Sequence, residues 1–418
     1  MHKSRRAASL TAAATLAFGA LACEKPGAHE ASAKTTQPDT TPARASIVPE
    51  RCATLPVNWT LAVTPARLRS KLGRDSTTAT AAGGVRDSVA DTAQAERAVQ
   101  SQSVPDSSPN VAAPPAMTTP AAKSVAKSGA RKRRSGSRSA GRDSASDAAT
   151  IDSFPTPPTP LPGSVLPGCR IVAYYGNPLS KRMGILGELP TPQMLTRLEA
   201  EAHAFERADT ATPVVRALEM ITPVAQGSPG SKGLWRMRMP DTLIENMAKL
   251  AESKGYLLFL DVQVGKSTVA AELEPLVPYL KRPYVHLALD PEFSMKGKEP
   301  PGKKIGTMDA ADVNVAIALL EKLVDENKLP PKVLVVHRFT QPMLTNHAAI
   351  KRDPRVQVVV DMDGFGPPEL KLGSYRAYVY KRPVQYFGIK LFYKNDKPRF
   401  TANDVMQLMP IPQYVQFQ

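Results

Sequence analysis

Residues 256–292 read YLLFLDVQVGKSTVAAELEPLVPYLKRPYVHLALDPE. An apolar run over 256–264 turns polar at Asp261 and Gln263. An amphipathic stretch follows at 268–281, and a second apolar run over 284–290 ends on Asp290, with Pro291 and Glu292 after it. Apolar runs without alternation are what strands buried on both faces present. An amphipathic segment between two of them predicts a parallel β-α-β unit.

The same texture extends both ways. Further strands are predicted at 171–176, 217–225, 332–339, 356–362 and 385–392, with a short last one at 413–417. Helices are predicted at 191–207, 240–254, 309–326, 341–351, 367–379 and 401–408. Pro240 stands where a helix start tolerates proline. Seven or eight β-α units over 168–418 predict an α/β fold, a (β/α)8 TIM-like barrel. A doubly wound open sheet is the alternative, but it carries fewer strands.

The rest of the chain has a different composition. Of 418 residues 40 are proline and only 6% are aromatic. Residues 24–167 consist mostly of Ala, Ser, Thr, Pro, Asp, Lys and Arg. Such a segment has too little apolar surface to offset its ordering entropy, which predicts a disordered tether over 23–167. Its last part, 151–167, holds six prolines and predicts a stiffer, polyproline-like spacer. The net charge of +16 halves to +8 once the eight basic residues of 121–142, a run without an acid, are set aside. That run has no interleaved aromatics on which bases stack, so nucleic acid is not an expected partner. It is either a solvated linker or a surface for an anionic polymer or lipid headgroups.

At the N-terminus His2, Lys3, Arg5 and Arg6 precede the moderately apolar stretch 7–22, which reads as an export signal too short to span a bilayer. It ends in Gly19-Ala20-Leu21-Ala22-Cys23. This resembles the bacterial lipobox, with Ala20 in place of the usual Leu. The resemblance implies lipidation of Cys23 and a lipid-anchored, extracytoplasmic protein of the cell envelope. Cys52 and Cys169 then remain, either paired in an oxidising compartment or as two free thiols. No CxxC is present, so neither a zinc nor a dithiol site is indicated.

The polar residues cluster at strand ends. Asp261 with Gln263, Asp290 with Glu292, and Asp361 with Asp363 each stand two apart, so each pair points to one side of its strand. Tyr174 or Tyr175 with Asn177, Gln226, His337 or Arg338, and Lys390, Tyr393 and Lys394 close other strands. Barrel active sites are built from such C-terminal ends. Each Asp taken singly also fits a helix cap or a loop anchor. Paired carboxylates are what glycosidic cleavage requires, one to protonate the leaving oxygen and one as nucleophile or base. Glu292 and Asp290 are the first candidates, with Asp361 and Asp363 two strands away. The aromatic rings of Tyr174, Tyr175, Phe293, Phe365 and Tyr393 suit either sugar stacking or packing.

The segments RIVAYYGNPLSKRMGILG, LLFLDVQVGKS, VHLALDPEF, KVLVVHRFT, VVVDMDGFG and GIKLFYKND resemble an uncharacterised family of bacterial secreted proteins and lipoproteins with a glycosidase-like barrel. The resemblance covers 168–418. Asp290-Pro-Glu292 is also similar to the D-x-E of barrel lysozymes of the Chalaropsis type. Of the longer D-x-x-D-x-D-x-E run of chitinase-like barrels, only Asp290 and Glu292 match, because Val285 and Ala288 occupy its first two aspartate positions. The glutamate that ends the seventh strand of many retaining glycosidases is also missing, and Lys390, Tyr393 and Asp396 stand there. Three readings follow. The first is a glycoside hydrolase acting on polysaccharide or a peptidoglycan-like polymer without a cofactor. The second is a non-catalytic glycan-binding barrel. The third is a hydrolase using a divalent metal held by Asp290, Glu292, His337, Asp361 and Asp363.

Overall fold

The structure, a computed structural model, describes Cys52 and residues 154–418. The signal segment, Cys23 and the basic run lie outside the described residues. Eight parallel strands close a barrel: β1 (Arg170–Gly176), β2 (Val214–Ile221), β3 (Leu257–Val262), β4 (Val285–Leu289), β5 (Lys332–His337), β6 (Val356–Met362), β7 (Tyr386–Leu391) and β8 (Tyr414–Phe417). Each strand neighbours the next in sequence, and β8 closes on β1. The TIM-like barrel expected from the sequence is therefore the fold found.

The longer covering helices are α1 (Thr191–Ala208), α2 (Asp241–Lys254), α3 (Ala310–Asn327) and α4 (Pro368–Tyr375), the last running into a π-helical turn at Arg376–Tyr380. Between β3 and β4 the covering layer is three short helical pieces spanning Val269–Leu280. Helices α1 to α3 each bury one apolar stripe, in α3 Val313, Ala316, Ile317, Leu320, Leu323 and Val324, as helices that lie on a sheet do. No described helix is long and apolar enough to cross a membrane.

Residues paired across a parallel ladder present their side chains to the same face. The register joins Tyr175 to Glu219, Asp261 to Ala288, His337 to Asp361, Asp361 to Gly388 and Lys390 to Gln416. These side chains all point into the barrel, and the interior therefore grows polar toward the strands' C-terminal ends. Aliphatic layers fill most such barrels.

Three stretches differ from the sequence reading. The run 217–225 splits: β2 stops at Ile221, and Val224–Ala225 pairs antiparallel with Arg236–Met237. No helix forms over 341–351. There Leu344–Thr345 pairs with Met308–Asp309, and His347–Ala349 is a 3-10 turn. The cause is buried Arg338, whose guanidinium donates to the carbonyls of Thr340, Gln341 and Leu344. Thr345 and Asn346 meanwhile donate to Asp309 Oδ2 at 2.7 and 2.6 Å. Finally, the end of the proline-rich stretch belongs to the folded body. Ser164, Val165 and Leu166 are buried, and the Val165 and Leu166 N–H groups donate to Gln357 Oε1, both at 3.1 Å. Gln357 lies at the N-terminal end of β6, so this segment plugs the barrel floor. Cys169 beside it is bonded to Cys52, which decides between paired and free thiols.

Candidate active site

His337 ends β5 and is buried among four carboxylates. Its Nε2 lies 3.0 Å from Glu219 Oε1 and 3.8 Å from Asp261 Oδ1. Its Nδ1 lies 3.3 Å from Asp361 Oδ2 and 3.4 Å from Asp363 Oδ2. Burial alone would lower its proton affinity. The close approach of Asp361 and Glu219 and the charges of Asp363 and Asp261 override it, so its pKa stands well above the ordinary imidazole value. Glu219 Oε2 accepts from the Tyr414 hydroxyl, and Asp261 Oδ2 accepts from the Tyr175 hydroxyl at 3.2 Å.

Above this floor stands the pair after β4. Asp290 Oδ1 accepts from the Glu292 N–H at 3.0 Å, and its Oδ2 accepts from Gln263 Nε2 at 3.3 Å. Gln263 is itself fixed, since its Oε1 accepts from the Ala225 N–H at 3.0 Å. Glu292 sits on the 3-10 turn Pro291–Phe293, partly exposed at the mouth. Burial of its carboxyl, then the charges of Asp290 and Asp363, move its pKa well above the usual range. Burial also raises Asp290, but His337, Lys390 and both hydrogen bonds work against the rise. Asp363 is pushed up to about 7, by burial against the pull of His337 and Lys390. Lys390 Nζ lies over the Tyr175 ring, 3.4 Å from its centre.

Several polar atoms deep in the mouth lack a hydrogen-bond partner among the described residues: His337 Nδ1, Asp261 Oδ1, both Asp361 oxygens and Asp363 Oδ1. Asp361 owes its room to Gly388. A Cβ there would stand 2.6 Å from Asp361 Oδ1.

The structure thus brings together Tyr175, Asp261, Gln263, Asp290, Glu292, His337, Asp361, Asp363 and Lys390. It does not bring in Tyr174 and Tyr393. Alternation turns Tyr174 to the outer face, where its hydroxyl meets that of Tyr393 at 2.7 Å. Tyr393 donates to Glu201 of α1 at 2.9 Å and carries the Arg197 guanidinium 3.6 Å above its ring. Both rings therefore pack the β1–α1 layer. Asn177 pins the loop after β1, donating to the Ile221 carbonyl and accepting from the Leu179 N–H. Gln226 lies in the small hairpin, its N–H bonded to the Trp235 carbonyl.

Glu219 and Tyr414 are the site residues that sequence reading missed. The signal for Glu219 was present: a carboxylate in the middle of an apolar strand, where burial is costly without partners. Glu219, Asp261 and His337 offer ligand atoms within 4.8 Å of one another and are the residues placed to hold a metal ion.

No protein-family model and no curated protein matches the chain. Among solved structures it is similar to the GH26-CBM35 β-(1,4)-mannanase of Podospora anserina, at 10% identity and TM-score 0.28 over 52% of this chain and 54% of that one. This chain thus spans about half the length of that mannanase. It is also similar to the Bacillus subtilis mannanase BCman, at 10% identity and TM-score 0.30 over 52% and 74%. A GH25 lysozyme from Aspergillus fumigatus is similar at 12% identity and TM-score 0.21 over 40% and 73%.

Proposed function

We propose that the barrel mouth cleaves glycosidic bonds in a polysaccharide or peptidoglycan-like polymer. Glu292 is the proton donor, with Asp290 beside it and Asp363 across the mouth as the partner carboxyls. The observation that carries this reading is the unequal treatment of two adjacent carboxyls. Glu292 is pushed up by burial and by its anionic neighbours, and keeps its proton. Asp290 is raised by burial too, but two hydrogen bonds and the nearby His337 and Lys390 oppose that rise, as nothing does to the same extent for a carboxyl flanked by anions. Two adjacent carboxyls whose surroundings push their pKa values apart are what acid–base cleavage of a glycosidic bond uses. The loop 294–306 that follows is tied at its base, with the Met295 N–H on the Gly265 carbonyl at 2.8 Å and the Gly306 N–H on the Glu292 carbonyl at 2.6 Å. It forms a wall of the mouth, and its lysines suit an anionic polymer.

We also place the protein outside the cytoplasm, anchored by a lipid on Cys23. The Cys52–Cys169 bond supports an oxidising compartment, and the lipobox-like Ala20–Cys23 segment supports the anchor. The basic run 121–142 then lies between anchor and barrel, suited to an anionic surface.

The test is release of reducing ends from a panel of neutral and acidic polysaccharides and peptidoglycan. Glu292→Gln should lower the rate by about 10²–10⁴-fold while near-UV circular dichroism stays unchanged. On the alkaline side activity should fall as pH rises through the elevated Glu292 pKa, because the ionised acid has no proton to give. Equal turnover by the Gln variant, or no release by the native protein from any substrate, refutes the assignment.

A further inference from the structure

We propose that Glu219, Asp261 and His337 bind one divalent first-row metal ion, zinc or manganese, on the floor of the mouth. The set differs from the carboxylates that the sequence suggested for a metal, and it does not rest on glycosidic cleavage. One donor atom from each residue falls within 4.8 Å of the others, and all three residues are buried.

What marks the three as a built site is what stands behind each of them. Glu219 Oε2 is bound by the Tyr414 hydroxyl. Asp261 Oδ2 is bound by the Tyr175 hydroxyl. His337 Nδ1 faces Asp361 Oδ2 at 3.3 Å. Glu219 Oε1, Asp261 Oδ1 and His337 Nε2 converge on one another, the first and last hydrogen-bonded at 3.0 Å, and Asp261 Oδ1 has no hydrogen-bond partner although the residue is wholly buried. Metal-binding imidazoles show this arrangement, with the far ring nitrogen backed by a carboxylate and the ligating carboxylates themselves hydrogen-bonded.

The charges agree. Six carboxyl groups, of Glu219, Asp261, Asp290, Glu292, Asp361 and Asp363, gather around the mouth, and Lys390 and His337 are the basic side chains among them. A divalent ion would take the place between Glu219 Oε1, Asp261 Oδ1 and His337 Nε2, where a cation is matched by the surrounding carboxyl groups. One nitrogen and two carboxylates suit zinc or manganese. Calcium prefers six to eight oxygens, and two carboxylates supply too few. Three protein ligands leave a coordination position open toward the mouth for a water or a ligand oxygen.

The experiment is equilibrium dialysis of chelator-treated full-length protein against zinc or manganese chloride, with bound metal measured by mass spectrometry. One ion per chain is expected. Asp261→Asn and His337→Gln should weaken binding by more than about 100-fold, and Tyr175→Phe by about 10–100-fold. Glu292→Gln should bind the ion normally while failing in turnover, so metal binding and glycosidic cleavage fail independently. If the ligand variants do not fold, pulsed electron paramagnetic resonance of the manganese-loaded native protein decides, and nitrogen coupling from one imidazole is expected. No retained ion, affinity unchanged in the folded variants, or a manganese signal without nitrogen coupling overturns the proposal.

Discussion

Lys371 is fully buried, and its Nζ donates to the carbonyls of Gly364 and of Lys390, each at 2.7 Å, while pairing with Asp396 Oδ2 at 3.0 Å. Asp396 in turn accepts from the N–H groups of Gly366 and Phe392, both at 2.9 Å. One ion pair thus stitches the loop after β6 to the end of β7, and so fixes Asp363 and Lys390 relative to each other. Lys371→Met leaves Asp396 buried without its counter-ion. It should cost about 3–5 kcal/mol in urea unfolding, and should lower kcat more than it raises KM. Loss of stability with native kcat would show that the pair only holds the fold. At this scale the sequence was informative where a polar residue closed an apolar strand, as at Asp261, Asp290 and Asp363. It was silent on Lys371, whose charge sits in a helix where lysine is ordinary. Tyr174 and Tyr175 were both legible as aromatic, but only the register tells which one turns inward.

Among the elements, α3 begins with a reciprocal cap. Asp309 Oδ1 accepts from the Ala311 N–H, and Asp312 Oδ2 accepts from the Asp309 N–H, both at 3.0 Å. The same Asp309 carboxylate holds Thr345 and Asn346, so it fixes both a helix start and the loop that stands where a fifth-unit helix would be. Asp309→Ala should lower the melting temperature by about 2–4 °C, and Asp309→Asn by less. An unchanged melting temperature would mean the cap contributes nothing. The eight strands were readable because parallel strands covered on both faces are apolar almost throughout. The segment 341–351 was misread for a tertiary reason. The carbonyls that a helix would use internally are taken by Arg338, a residue of the preceding strand end, and local sequence carries no trace of that competition.

For the whole molecule, the plugged end of the barrel and its mouth are separate regions. Residues 164–166 and the Cys52–Cys169 bond lie at the end where the strands begin, and the carboxylates lie at the end where they finish. The disulfide joins residues 117 apart. By the chain-entropy argument, closing such a loop stabilises the fold by about 4–5 kcal/mol. Cys52→Ser should therefore lower the unfolding free energy by an amount of that order in guanidinium titrations. A loss below about 1 kcal/mol would mean that the floor contacts of Gln357 suffice. The barrel as a whole was legible from the count of β-α units. The disulfide partners were legible only as alternatives, because nothing in composition brings Cys52 to the floor.

That bond also changes what cutting the chain can accomplish. A peptide bond broken anywhere over 53–168 opens the backbone, but the barrel stays attached to everything N-terminal of Cys52 through the two sulfur atoms. A protease attacking the long proline- and alanine-rich segment would therefore not shed the domain until a reductant followed. A single cut N-terminal to Cys52 would separate the barrel from everything before the cut at once.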